Sequence, residues 1–274
     1  MQTEVVGGGG VRLGVRVVGA EQSRPIVFVH GWAQSSLAFS PQLADPGLAE
    51  RYRLVAVDLR GHGTSDVPVE GYDDPGLWAA DLAAVLEFAG APAIVVAWSY
   101  GGLVLTDYLR VHGTEGIAGI VLAGAITELG RGRPGGKVGQ AMRAALPDAL
   151  SEDIAVALPA LTTLCDGMAS RPVPGALAQA LLGSCLSVPP AVRAALFRRE
   201  VDSADVLAAV DVPALVIHGT EDAVVDVSAG EYAAGKIVGA RGRWFQGVGH
   251  LPFVEEAAEF TSALRQFAGG LLAR

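Results

Sequence analysis

Two cysteines in 274 residues, Cys165 and Cys185, provide no disulfide framework, and neither lies near a Cys/His cluster that could hold a metal. They read as reduced core thiols, with one disulfide between them as the alternative. Basic charge is also scarce: 20 Lys and Arg against 29 Asp and Glu give a net charge of -9 and a pI near 5.0. Phosphate neutralisation needs clustered Lys and Arg, so this balance excludes nucleic-acid binding and mainly favours solubility. No stretch approaches the roughly 18 to 20 uninterrupted apolar residues of a membrane span. Met1 to Val6, followed by four glycines, lacks the basic head and apolar run of a secretion signal. Internal repeats and low-complexity stretches are absent as well. Together these absences predict a cytoplasmic protein without a membrane or nucleic-acid partner; they say nothing of oligomeric state.

What the chain does have is apolar residues, 51% of the total, arranged as strand-like runs alternating with helical ones. Thr3–Val6 and Val11–Val18 read as an opening hairpin across the glycines. Ile26–Val29, Leu54–Val57, Ile94–Val96 and Ile120–Ala123 are continuously apolar, the pattern of strands covered on both faces and therefore of a mostly parallel sheet. Ala214–Ile217 and Arg243–Phe245 complete eight strands. Between them, Trp78, Leu82, Val85, Leu86 and Ala89 recur at helical spacing, as do Leu105, Tyr108 and Leu109, and near the end Phe253, Ala257, Phe260, Leu264 and Phe267. The expected fold is a doubly wound α/β sheet, whose ligands bind beyond the carboxyl ends of the strands.

Residues 130–206 break the alternation. They carry Ala- and Leu-rich segments punctuated by Pro147, Pro159, Pro172, Pro174, Pro189 and Pro190, and no convincing strand. Structureless loops of that length are rare in compact domains, so the interval reads as short helices inserted as a cap on a core made of 1–129 and 207–274. Met142, Leu161, Met168 and Phe197 either line a pocket under that cap or hold it together. The low charge near Leu158 to Met168 favours an apolar pocket for a small to medium hydrophobic substrate.

Three residues then carry the chemistry. Ser99 ends a buried run in Val95-Val96-Ala97-Trp98-Ser99-Tyr100-Gly101-Gly102, as a nucleophile mounted at a strand-to-helix elbow does. His250 lies in the glycine-rich loop Gly247-Val248-Gly249-His250 after a strand and suits a general base. Asp222 directly follows the strand ending at Ile217 and suits the acid that orients it; Glu221 and Asp226 compete for that role. The chain order Ser, Asp, His is the one expected of triads built on this elbow.

With His30-Gly31-Trp32 after the third strand and Asp58-Leu59-Arg60-Gly61-His62-Gly63-Thr64-Ser65 after the fourth, these motifs make the chain resemble the α/β-hydrolase superfamily over essentially its whole length. The His-Gly-Trp form and the capped layout resemble the esterase and cofactor-free haloperoxidase (perhydrolase) branch. Ala97 departs from the common glycine by one methyl. The resemblance implies an oxyanion hole made by the backbone N–H groups of Trp32 and Tyr100, loop-organising roles for His30 and His62, and hydrolysis through an acyl-enzyme on Ser99 without metal or organic cofactor. A dehalogenase or epoxide hydrolase would need aspartate at the elbow. Esters, lactones, thioesters and vinylogous carbon–carbon bonds remain open as substrates, as does a triad-retaining receptor or a non-hydrolytic tailoring protein such as a cyclase. His218, ending a buried strand, reads as a satisfied core histidine, and Trp98 as an ordinary core aromatic pointing away from Ser99.

Overall fold

Continuous Val, Ile and Leu runs demand cover on both faces, and the inner strands of this chain receive it. The computed structural model describes residues 1–90 and 92–272. Its strands are β1 (Gln2–Val6), β2 (Arg12–Val18), β3 (Arg24–Val29), β4 (Tyr52–Val57), β5 (Ala93–Trp98), β6 (Ile117–Ala123), β7 (Ala214–Gly219) and β8 (Arg241–Phe245). They form one sheet in the order β1-β2-β4-β3-β5-β6-β7-β8. From β4 to β8 the neighbours pair in parallel, while β1 and β2 run antiparallel at one edge. Every residue of β4, β5 and β7 is buried. Edge strand β8 reads differently: Arg241, Gly242 and Arg243 leave it partly in water, the charge pattern that discourages pairing with another chain.

The helices follow from the same economy of apolar faces. Helix α1 (Pro75–Ala89) begins where the Asp74 side chain accepts the Gly76 N–H at 2.8 Å, and ends at Gly90 with φ +87°. It buries Trp78, Leu82, Val85, Leu86 and Ala89, the whole expected stripe. Helix α2 (Gly101–His112) follows β5 directly. Residues between β6 and β7 form α3 (Gln140–Ala149), α4 (Ile154–Asp166), α5 (Gly175–Ser187), α6 (Pro190–Ala195) and a turn at Ala204–Ala208. Pro174 and Pro189 precede α5 and α6, but Pro147 and Pro159 lie inside α3 and α4 instead of dividing them. The two ends of this helical stretch are stitched together where Leu129 and Val201 exchange backbone hydrogen bonds of 2.9 and 2.8 Å. Helices α7 (Val227–Lys236) and α8 (Ala257–Leu272) finish the chain. The C-terminal apolar stripe is split: Phe253 belongs to a separate turn, Pro252–Glu255, and the chain bends at Glu256 before α8.

One topological detail places the site. The chain leaves β3 outward to β4 and then crosses back to β5 on the other side of β3. Loops leaving the carboxyl ends of β3 and β5 therefore diverge, and the crevice between them is where such sheets bind ligands.

Candidate functional site

At that crevice stand two residues whose backbone an L-amino acid seldom adopts. Among the described residues only Ala33 and Ser99 combine a side chain with positive φ, at +52° and +55°. Left-handed backbone costs a non-glycine residue about 1–2 kcal/mol. At Ser99 it is imposed by the turn from β5 into α2, which leaves no room for larger neighbours. A Cβ on Gly101 would sit 2.5 Å from the Val29 carbonyl oxygen, and one on Gly102 2.3 Å from that of Ile126. Gly31, beyond β3, faces the serine itself; a Cβ there would lie 2.7 Å from Ser99 Cβ. Ser99 N–H donates to Ala123 O and its carbonyl accepts from Ile126 N–H, so the elbow is tied to the end of β6. Among the described residues the N–H groups of Trp32 and Tyr100, next to Ala33 and Ser99, donate to no protein acceptor.

Asp222 and His250 meet at the same rim. His250 Nδ1 lies 2.7 Å from Asp222 Oδ2, so this nitrogen carries the proton and Nε2 offers its lone pair. The other carboxylate oxygen, Oδ1, accepts N–H bonds from Val224 at 2.8 Å and Val225 at 2.9 Å. Burial opposes ionisation of Asp222, but the His250 charge and hydrogen bonds from His218 and His250 outweigh it, holding the carboxyl well below the usual carboxylate range. Gly124, with φ +49°, lets both groups approach β6: a Cβ there would stand 3.2 Å from Asp222 Oδ2 and from His250 Nδ1. The competing carboxylates face elsewhere. Asp226 caps α7 through Ser228 and pairs with Lys137 at 3.3 Å, and Glu221 is exposed.

His30 and His62 are wired to the main chain. His30 Nε2 accepts the Leu59 N–H at 3.0 Å and Nδ1 donates to Gly31 O at 2.8 Å; His62 Nδ1 donates to Arg60 O at 2.8 Å. His30 thus spends both nitrogens on the main chain, while His62 Nε2 is buried without a partner. Met142, Leu161 and Met168 are buried, and Phe197 packs against Trp32 with ring centroids 5.4 Å apart and the planes tilted by 57°. A cleft of about 560 Å³ opens between α4 and α5, lined by polar groups such as Thr162, Asp166 and Arg171 beside Leu181 and Leu182; neither Ser99 nor His250 borders it. Cys165 and Cys185 are free thiols with sulfurs 3.5 Å apart. Among the described residues no group of three or more His, Cys, Asp or Glu is placed to hold a metal, and no helix is long and apolar enough to cross a membrane.

One reading of the sequence needs correction, that of His218, and a second, the core placement of Trp98, gains a contact with His250. His218 is buried but not fully satisfied: its Nε2 sits 3.1 Å from both Asp222 Oδ2 and Val225 O, while Nδ1 has no partner. It is thus a second imidazole on the carboxylate that holds His250. Trp98 is fully buried, yet its Nε1 donates to His250 O at 3.0 Å and its ring lies 5.3 Å from the imidazole, so it braces the His250 loop. From the helical stretch, Met168 O accepts the His250 N–H at 2.6 Å. Glu255 accepts from Ser170 N–H and Gly249 N–H, at 2.8 and 2.9 Å. The alternation of residue types carries no signal for the contacts of Trp98, Met168 and Ser170, which join segments distant in sequence; the four-residue spacing of His218 and Asp222 was the nearest thing to a clue.

Comparison with known proteins agrees with this architecture. Over 98% of this chain and 99% of the other, it is similar to the esterase RhEst1 from Rhodococcus sp. ECU1013, with 49% identity and a TM-score of 0.94. A putative aryl esterase from Burkholderia cenocepacia matches over the full length of both chains at 31% identity and a TM-score of 0.90. A non-heme haloperoxidase from Rhodococcus erythropolis is 32% identical, covering 83% of this chain and 85% of its own. Residues 26–263, from the middle of β3 into α8, match the alpha/beta hydrolase family, and with the sheet order and elbow described above this chain belongs to it.

Proposed function

We propose that the protein is a serine esterase in which Ser99 is the nucleophile, His250 the general base and Asp222 its orienting acid. The observation that carries this reading is the 2.7 Å contact of His250 with a buried, ionised Asp222 at the rim where Ser99 is held in left-handed backbone. His250 Nε2 takes the hydroxyl proton as Ser99 Oγ attacks the acyl carbonyl, and Asp222 balances the imidazolium. The N–H groups of Trp32 and Tyr100 receive the oxyanion. Collapse of the tetrahedral adduct passes the proton from His250 to the departing alcohol; water, deprotonated in turn by His250, then releases the acid and restores Ser99.

The helical stretch between β6 and β7 acts as a cap, and the substrate is a small to medium uncharged ester. The similarity to a non-heme haloperoxidase supports a second fate for the same acyl-enzyme, attack by hydrogen peroxide to give a peracid. Turnover of p-nitrophenyl acetate tests the reading. Ser99→Ala should abolish it by about 10⁴ to 10⁶ in kcat while leaving the fold intact. A fluorophosphonate should label Ser99; labelling elsewhere, or a silent protein across short and medium esters, favours a binding or non-hydrolytic role.

A further inference from the structure

The residues assigned to the oxyanion hole have side chains as well as N–H groups, and both side chains end on the same short segment. Trp32 Nε1 donates to Arg193 O at 3.0 Å, and Tyr100 OH donates to Leu196 O at 3.0 Å. These carbonyls lie in the last turn of α6 and at its cap, where helices leave acceptors without intrahelical partners. Three residues on, Arg199 NH1 reaches Tyr100 OH at 3.3 Å while NH2 grips both Asp107 oxygens at 2.7 and 2.6 Å. Asp107 belongs to α2, the helix that starts at the elbow. Phe197 covers the Trp32 ring, and Arg193, 3% exposed, donates to Val188 O at 2.9 Å and Cys185 O at 3.2 Å, fixing α6 on α5. The loop after Trp32 is fastened too: Gln34 Nε2 donates to Leu181 O at 3.3 Å, and Ser35 and Ser184 hydroxyls meet at 2.8 Å.

From this convergence we infer that residues 190–199 position the oxyanion hole, a role that rests on the esterase reading above. Trp32 follows β3 and Tyr100 follows β5, so their N–H groups belong to separate loops. A side chain held at its tip restricts the φ and ψ of its own residue, and two side chains held three residues apart on one turn restrict the distance between their N–H groups. Electrostatic stabilisation of an oxyanion depends on donors already at hydrogen-bond distance from where the charge forms, and a displacement of about 1 Å costs up to a hundredfold. Seating of this segment therefore completes the hole, and its loosening disables the reaction without touching Ser99, His250 or Asp222.

Tyr100→Phe removes one tether and nothing else of the ring; Trp32→Phe removes the other. For p-nitrophenyl acetate, each should lower kcat about tenfold with KM within twofold. The inhibition constant of trifluoroacetophenone, whose carbonyl oxygen becomes an alkoxide when Ser99 adds to it, should weaken by a similar factor. Unchanged kcat in both variants, a rise in KM alone, or lower kcat with undiminished trifluoroacetophenone affinity overturns the inference while wild-type turnover leaves the esterase reading standing. A wild-type protein that neither hydrolyses the ester nor is labelled at Ser99 by a fluorophosphonate overturns both.

Discussion

Two pairs of buried histidines stand near buried aspartates in this sheet, His30 and His62 by Asp58, and His218 and His250 on Asp222. By residue type the two clusters are alike; by wiring they are opposites. Asp58 spends its oxygens on Ser36 N–H at 2.7 Å and on Thr64 N–H and hydroxyl at 2.9 and 3.0 Å, and its histidines bond to main-chain groups. Asp222 spends one oxygen on backbone and shares the other between two imidazoles. Among the described residues neither His250 Nε2 nor His62 Nε2 engages a protein group, but only His250 has a carboxylate on its other nitrogen, so the second cluster can balance a protonated imidazole while the first holds loops in place.

If that contrast is right, neutralising the two aspartates has opposite consequences. Asp222→Asn should cut kcat by about 10⁴, because the amide can neither hold the tautomer nor balance an imidazolium, with little change in urea unfolding. Asp58→Asn should do the reverse, costing about 1–3 kcal/mol in the same unfolding measurement while kcat stays within a few-fold. Equal loss of activity in both would erase the distinction.

A smaller effect sharpens the second cluster. His218→Phe keeps a ring of similar size but removes the Nε2 donor, and loss of one hydrogen bond to a charged group predicts roughly a tenfold fall in kcat. Fluorophosphonate labelling should still occur at Ser99 in that variant. Wild-type kinetics would make His218 a packing residue after all.

The first cluster has its own signature, in stability versus pH. Burial, with His30 adding, pulls His62 down to about 3, and burial also lowers His30. The unfolded chain therefore takes up these protons first, below pH 6.5, and stability is retained above that value and lost as pH falls toward 3. His62→Gln should shrink the stability difference between pH 7 and pH 5 by about 2 kcal/mol, read from urea unfolding at the two pH values. Smallest of all, Asp226→Asn should leave kcat within twofold and cost at most about 1 kcal/mol through the weakened cap of α7.

The sheet was legible because strands buried on both faces leave long apolar runs, and the elbow because the crowding around it admits only small residues at positions such as Gly101 and Gly102. The pairing of Asp222 with His250 could be anticipated from loops ending adjacent parallel strands, β7 and β8. Most of what the sequence hid is of one kind. Trp32, Tyr100 and Trp98 all donate to main-chain carbonyls, and every residue has a carbonyl, so no acceptor is marked by its residue type. His218 was hidden differently: the same side chain serves a core or a carboxylate, and only the turn after β7 decides which it meets.

The positive φ of Ser99 sets the reaction against the endurance of the molecule. Glycine would relieve the backbone there at no steric cost, so Ser99→Gly offers up to about 1 kcal/mol of extra stability in exchange for the nucleophile. A population of variants screened for heat resistance alone would drift toward that dead end, whereas one screened for turnover keeps the tension at residue 99.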